Sequence, residues 1–185
     1  MNEMLNPLLN ELRTLALTPL SQAMGLPKSF YASPDILALE RERIFATGWL
    51  CAGRADEVPN VGDYMTFEHG SQPVIIVRDT DGDVHARANV CRHRMMRLVE
   101  GRGNARKFTC PYHAWTYNLK GELVGASFMD RTECFTKDNL SLATVKCEVY
   151  QGWIYVSLDP QPIPVADVLA QLTPIMSDYQ QEDYI

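Results

Sequence analysis

The chain has 185 residues, of which 46% are apolar, and this length and composition suit one globular domain with appendages. Its formal net charge of −6 argues against a general nucleic-acid binder, since such proteins carry an excess of positive charge. No apolar run approaches membrane-spanning length, and the first residues lack the basic region of a signal peptide. We therefore expect a cytoplasmic protein that binds neither a membrane nor nucleic acid.

Residues 1–46 predict an N-terminal helical segment. Leucines recur at helical intervals within residues 4–17 and form one apolar stripe. Residues 25–31 are rich in turn-forming residues and are interpreted as a linker. Ser33 has the residue type of a helix cap, and Pro34 has the type that suits the first helical position, so a second helix is expected to run to about Phe45.

From residue 49 onward the apolar pattern has a period of two, which indicates β-strands. The predicted strands are 49–54, 64–68, 73–78, 84–89, 108–110, 115–118, 123–125, 145–150 and 153–158. Many short strands with turn residues between them predict a mainly β fold, a small antiparallel β-sandwich over residues 47–158. Residues 159–164 form a proline-rich hinge, and 165–178 predict a C-terminal helix that Pro174 kinks or shortens.

Two short Cys–His pairs, separated by sixteen residues, dominate the chemistry of the chain: Cys91-Arg92-His93 and Cys110-Pro111-Tyr112-His113. On a strand, Cys91 and His93 would lie roughly 6–7 Å apart, which is wide for one ion, so a turn is the better site for them. Pro111 argues against a helix for the second pair. Two such loops would offer two thiolates and two imidazoles, the ligand set of a Rieske [2Fe–2S] cluster.

Two alternatives remain open at this point. Structural zinc also takes two Cys and two His, but zinc fingers place both Cys on one loop and both His on a helix, whereas each loop here is mixed. The other alternative is a chance grouping of buried cysteines with histidines, although two of only four histidines fall in the double motif. The remaining two, His69 and His85, are interpreted as surface histidines.

Three further cysteines cannot all pair within the chain, and in a reducing compartment they need not pair at all. Cys51 and Cys147 lie in apolar, strand-like runs and are predicted to be core residues. Cys134 lies beside polar residues and is predicted to be exposed.

The motif and its flanks resemble the N-terminal part of the large subunit of the Rieske non-haem iron oxygenases, the aromatic-ring-hydroxylating family, over about residues 30–160. The stretches that carry the resemblance are 40–41, 44–45, 49, 62–64, 74–79, 88–94, 108–113, 115–117, 121 and 152–156. Many relatives have Gly where this chain has Met95 and Ala114. A positive backbone angle there would strain Met95. Alternatively, Met95 and Met96 form an apolar tip for a docking partner, or they tuck into the domain.

Carried over by position, the resemblance implies that Cys91 and Cys110 ligate one iron and that His93 and His113 ligate the other. It implies an oxidoreductase, a mono- or dioxygenase component, whose cluster is reduced by a flavin/iron–sulfur reductase or a ferredoxin. The cluster then passes electrons to a mononuclear iron, often in the neighbouring subunit of a trimer, that hydroxylates or demethylates a small organic substrate. Aromatic hydrocarbon catabolism is the expected context, with the substrate itself left open.

A mononuclear site of this kind needs two His and a carboxylate. No His follows His113, so the Fe(II) is expected only in the full-length protein, and this chain is predicted to contain no catalytic residues. Residues 159–185 are interpreted as a linker and the start of a truncated catalytic domain. The alternative function is a stand-alone Rieske-type ferredoxin, which would be shorter and would not need the flanking helices. Respiratory Rieske proteins fit poorly, since Trp115 stands where they have a serine.

The segment between the two cysteines is strongly basic. Against the single acid Glu100 it carries Arg92, Arg94, Arg97, Arg102, Arg106 and Lys107. We interpret this charge as a surface that steers an acidic redox partner or an acidic subunit surface. Local ion pairing of these cations is the alternative.

Overall fold

The computed structural model describes residues 5–129 and 131–183, and the chain separates into two compact units at the Ala46–Thr47 boundary. The first unit contains helices α1 (Leu5–Ala16), α2 (Lys28–Ala32) and α3 (Pro34–Glu40), and α3 continues into a π-type turn at Arg41–Phe45. Helix α1 agrees with the predicted helix, of which Met4 lies outside the described residues. Helix α2 falls in the stretch predicted as a linker, and that prediction was wrong.

A helix cap and the burial of an aromatic side chain both stabilise the helices of this first unit. The Ser33 hydroxyl accepts a hydrogen bond from the Ile36 amide at 3.4 Å, and Pro34 occupies the first turn of α3, as predicted. Phe30 of α2 is 8% exposed and lines, with Leu9 and Ile36, an apolar cavity of about 250 Å³. Burial of Phe30 therefore explains why α2 forms in a stretch whose residue types favour a turn.

The second unit is built on antiparallel strands, which confirms the predicted fold class. The strands are β1 (Leu50–Arg54), β2 (Asp63–His69), β3 (Gln72–Arg78), β4 (Val84–Ala88), β5 (Arg102–Asn104), β6 (Phe108–Thr109), β7 (Thr116–Tyr117), β8 (Leu123–Gly125), β9 (Thr144–Tyr150) and β10 (Trp153–Ser157). Seven of them form one sheet in the order β1-β10-β9-β4-β3-β2-β5, and β6-β7-β8 form a second. Strand β5 was not predicted, because its three residues are all exposed and show no apolar alternation.

Strand β3 separates two apolar cores. Val74 and Ile76 pack into the core of the large sheet, whereas Ile75 and Val77 pack on the opposite side into a core that also contains Cys91 and Cys110. These four side chains of β3 are fully buried, and each such burial stabilises the fold by about 1.5–3 kcal/mol. The large sheet thus supports the segment that carries the two Cys–His pairs.

The C-terminal helix predicted over 165–178 is two short helices, α4 (Val165–Val168) and α5 (Thr173–Ser177). Pro174 lies in the first turn of α5, because a continuous helix would lose one backbone hydrogen bond at proline and clash with its ring. Within residues 5–129 and 131–183, no helix is both long and apolar enough to cross a membrane.

Candidate metal centre

The first Cys–His pair lies on a tight loop between β4 and β5. The Cys91 amide donates to the Met96 carbonyl at 2.8 Å, and the Met95 amide donates to the Cys91 carbonyl at 2.9 Å. A bridge between Val90 and Arg97 closes the loop at its base. These bonds hold the backbone of the loop in one conformation.

The second pair lies on the loop between β6 and β7 and repeats the same pattern. The Cys110 amide donates to the Trp115 carbonyl at 2.7 Å, and the Ala114 amide donates to the Cys110 carbonyl at 3.0 Å. The φ angle is +55° at Ala114 and also +55° at Met95, the corresponding position of the first loop. Both residues therefore lie in the left-handed region that favours glycine, which confirms the strain anticipated for Met95.

The four predicted ligands come together between these loops. Cys91 is fully buried and Cys110 is 3% exposed, and both are free thiols. The His93 and His113 rings are half-buried, with centroids 4.7 Å apart and an interplanar angle of 68°. The cysteines thus lie on the protein side of the site, and the histidines lie nearer the surface.

The spacing of the four residues favours a cluster over a single ion. A tetrahedral zinc site, with bonds of about 2.0–2.3 Å, keeps its ligand atoms roughly 3–4 Å apart. Among the described residues, the one group of at least three potential ligands whose ligand atoms all lie within 4.8 Å of one another is Asp79, Asp83 and His85. The two Cys–His pairs do not form such a group, so their separation disfavours zinc.

One buried nitrogen atom at the site lacks a hydrogen-bond partner among the described residues. Nδ1 of His113 is buried and has no hydrogen-bond partner among the described residues. A buried polar atom without a partner costs about 1–3 kcal/mol, so a bound group that takes the lone pair of this nitrogen removes that cost. Together with two buried thiols, this nitrogen fits a Rieske [2Fe–2S] cluster.

The protonation of His93 also suits metal binding. Burial, followed by the neighbouring charges of His113 and Arg94, lowers the pKa of His93 below its ordinary value. The neutral imidazole, which is the form that binds metals, is therefore favoured.

Two aromatic residues near the site have roles that ligand spacing alone does not indicate. The Tyr117 hydroxyl accepts a hydrogen bond from the Arg92 amide at 3.0 Å and lies 3.4 Å from the Cys91 sulfur. The Trp115 ring stacks on His93, with centroids 4.7 Å apart and planes 9° from parallel. Both residues belong to the stretch 115–117 that carries the family resemblance. That resemblance is the sequence feature from which a role for Trp115 and Tyr117 at the site could have been inferred.

The predicted basic surface divides into paired and unpaired cations. Arg97 bonds Glu68 at 2.6 Å, and Arg102 bonds Glu57 at 2.7 Å. The remaining cations are exposed and form no ion pair within the part of the chain that the structure describes: Arg92, Arg94, Arg106 and Lys107. Local pairing therefore accounts for only part of the basic segment.

The two methionines of the first loop are exposed. Met95 is 65% exposed and Met96 is 43% exposed, so neither tucks into the domain.

Several other side chains differ from the sequence-based expectations. His69 is 1% exposed, so its prediction as a surface residue was wrong. His85 is half-buried and bonds the buried Asp79 at 2.9 Å. Cys51 is exposed rather than in the core and lies on β1, an edge strand of the large sheet. Cys147 is half-buried and Cys134 is exposed.

Comparison with known proteins agrees with this geometry. The model of the Rieske [2Fe–2S] domain family matches residues 48–136. The oxygenase subunit of glycine betaine monooxygenase from Chromohalobacter salexigens is 40% identical over 160 residues, which are 86% of this chain and 36% of that protein. The oxygenase subunit of carnitine monooxygenase from Acinetobacter pittii is 37% identical over 150 residues, 80% of this chain and 40% of that protein.

Solved structures give the same result. A quaternary ammonium Rieske monooxygenase, described as revealing insights into carnitine oxidation by gut microbiota and inter-subunit electron transfer, has a TM-score of 0.76 and 36% identity, covering 84% of this chain and 42% of its own. Naphthalene 1,2-dioxygenase from Rhodococcus sp., bound to indole, has a TM-score of 0.83 and 31% identity, covering 93% of this chain and 39% of its own.

The fold and the two Cys–His loops thus define a Rieske [2Fe–2S] protein. Within that class, the chain is similar to the N-terminal, Rieske-domain part of the oxygenase subunits of Rieske monooxygenases and dioxygenases. It spans only 36% to 40% of the length of the two curated relatives described above. Because those relatives are named for quaternary ammonium compounds, the expected context of aromatic hydrocarbon catabolism is not supported.

Proposed function

We propose that this chain is the electron-transfer portion of a Rieske oxygenase, with Cys91 and Cys110 on one iron of the cluster and His93 and His113 on the other. The observation that carries the proposal is the buried Nδ1 of His113, which has no hydrogen-bond partner within residues 5–129 and 131–183. His113 lies beside His93, between two loops of equivalent geometry. When bound, the [2Fe–2S] cluster carries one electron at a time between protein partners.

The residues of the chain prepare the site for that task. Two buried thiols exclude water from one end, and the fixed loop backbones hold the ligands at a constant spacing, so little reorganisation accompanies electron transfer. Half-exposed His93 and His113 form the end nearer the surface, where an electron partner comes close.

We further propose that the electron leaves for a mononuclear non-haem Fe(II) in the larger oxygenase, which then hydroxylates or demethylates a quaternary ammonium compound. The names of the relatives support this substrate class. The oxygenase is proposed to be a homo-oligomer, a trimer, and the description of inter-subunit electron transfer in a similar structure supports an assembly of subunits. A cytoplasmic location remains part of the proposal.

The electron donor is proposed to be a flavin/iron–sulfur reductase or a ferredoxin. Exposed Arg92 and Arg94, which flank His93, and the exposed Met95 support docking of an acidic redox surface beside the cluster loops. Long-range attraction of this kind raises the association rate more than the final affinity.

The ligand assignment is tested by metal analysis and spectroscopy. Protein purified aerobically should contain two irons and two acid-labile sulfides per chain and show a Rieske electron paramagnetic resonance (EPR) signal on reduction. His113→Ala should lose or alter this signal, and the matched control His85→Ala should keep it. Zinc in place of iron, in protein made with ample iron, would contradict the proposal.

A second candidate is a stand-alone Rieske-type ferredoxin, favoured by the self-contained core around Cys91 and Cys110. Under both candidates this chain should accept electrons from a reductase yet oxidise no substrate when Fe(II), O2 and quaternary ammonium compounds are added, so the assay that separates them adds the remainder of the oxygenase. Restored product formation on addition of the remainder of the oxygenase supports the first candidate. A reading frame that ends at Ile185 would favour the second.

A further inference from the structure

Trp115 occupies an unusual place beside the proposed cluster. Its side chain is 4% exposed, and its indole Nε1 has no hydrogen-bond partner in the described parts of the chain. One ring surface lies against His93, with centroids 4.7 Å apart and planes 9° from parallel. The Phe135 ring meets Trp115 edge-on, with centroids 5.8 Å apart at 67°. Phe135, Trp115 and His93 thus form a series of three rings in contact, with the buried Trp115 between the other two.

The other proposed histidine ligand has a different neighbour. The His113 ring contacts Tyr112, with centroids 3.8 Å apart at 36°, and Tyr112 is 56% exposed. A buried aromatic ring in a close-packed core keeps one orientation, whereas an exposed ring is free to move. The two imidazoles therefore differ in support, since His93 rests on a buried ring and His113 on an exposed one.

We propose that Trp115 is a positioning residue that fixes the ring plane of His93, and thereby sets the geometry of one imidazole–iron bond independently of the other. The inference rests on the proposed ligand set. Residues that contact a metal ligand on the side away from the metal orient that ligand and tune the properties of the metal. Here Trp115 performs this role by stacking on His93, without a hydrogen bond. Because Phe135 contacts the same indole, it supports the orientation of His93 indirectly, through Trp115.

Pulsed EPR on the reduced protein tests the inference, since it measures separate hyperfine couplings for the two coordinating nitrogens. Trp115→Leu removes the stacked ring and should shift one nitrogen coupling while leaving the second unchanged. Trp115→Phe keeps a stacked ring and should restore the coupling close to the wild-type value. The matched control Tyr112→Leu removes the exposed neighbour of His113 and should leave the His93 coupling unchanged.

A purely structural role for Trp115 gives a different result. Trp115→Leu would then lower the amount of bound cluster or the stability of the protein, with both couplings unchanged in the molecules that retain the cluster. That outcome, or an equal shift of both couplings, would overturn the inference.

Where Trp115→Leu fails to fold, Phe135→Leu decides the question, because it leaves the indole in place. A smaller shift confined to the same coupling supports the inference, and unchanged couplings overturn it. Failure of the ligand assignment is recognisable separately, since the wild-type protein would then show no coupling to coordinating nitrogens.

Discussion

The Tyr117 hydroxyl lies 3.4 Å from the Cys91 sulfur and 3.0 Å from the Arg92 amide nitrogen, whose hydrogen bond it accepts. With the Arg92 amide as donor, the hydroxyl hydrogen is free to point at the sulfur. Burial and the bond to Cys91 raise the pKa of Tyr117, so the phenol stays protonated and remains a donor. A proton donor on a cluster sulfur stabilises the reduced, more negative state.

Tyr117→Phe should therefore lower the midpoint potential. A net hydrogen-bond contribution of about 1 kcal/mol corresponds to roughly 40 mV for a one-electron couple. Protein-film voltammetry measures the shift, and Tyr112→Phe, which removes an exposed hydroxyl in the second loop, is the control that should leave the potential near its wild-type value. An unchanged potential in Tyr117→Phe would show that the hydroxyl does not act on the sulfur.

The potential of the wild-type protein should fall at the low end of the Rieske range, which spans roughly −150 to +300 mV. Trp115 offers no hydroxyl where respiratory Rieske proteins donate one to a cluster sulfur, and the loops lack the extra cysteines of that class. Voltammetry near neutral pH is the measurement. A strongly positive midpoint is incompatible with this expectation.

Met95→Gly should raise the free energy of unfolding by about 1 kcal/mol, because it relieves a residue held at φ +55°. Ala114→Gly should act in the same direction, since its φ is also +55°. The opposite control is Gly101→Ala, which should destabilise by a similar amount, since φ is +70° there and no atom of the described residues lies within 4 Å of the added carbon. Denaturant titration measures all three, and equal stability of Met95→Gly and wild type would rule out strain at this position.

Stability should decrease as the pH falls below about 6.5, because burial lowers the pKa of His69 in the folded protein. The unfolded chain then binds a proton at a higher pH than the folded one, so stability present above the unfolded pKa is lost as the pH falls toward the folded pKa. His69→Leu should flatten this part of the profile. Denaturant titrations between pH 7 and pH 5, in wild type and variant, measure the difference, and parallel profiles would exclude His69 as the source.

Arg94→Glu should slow reduction by an acidic donor, and rising salt should slow reduction of the wild type, because exposed charges are screened beyond about 10 Å at 0.1 M salt. Lys146→Glu, a charge reversal on β9, is the control for net charge. Arg97→Glu is less informative than its place in the sequence suggests, since Arg97 already bonds Glu68. Stopped-flow reduction is the measurement, and salt-independent rates would remove the docking proposal while leaving the cluster assignment intact.

Local chemistry made several features predictable from the sequence. Strands β1 to β4 and β6 to β10 all overlap predicted strands, because their residue types favour a strand and turn residues bound them. Strand β5 was missed because none of its residues is buried. Ser33 and Pro34 marked the start of α3 by their own hydrogen-bonding and backbone properties. The Cys–His loops were recognisable because each pair is close in sequence.

Tertiary structure alone decided the features that depend on residues far apart in the chain. Tyr117 meets Cys91 across 26 residues, and nothing in the spacing of the ligands indicates that contact. His69 follows a turn-like pattern yet is buried, because the packing around the end of β2 determines its exposure. The sequence by itself thus determined the candidate ligands and the strand pattern, which depend on neighbours in the chain. The tertiary structure decided what surrounds the candidate ligands, which depends on packing between distant segments.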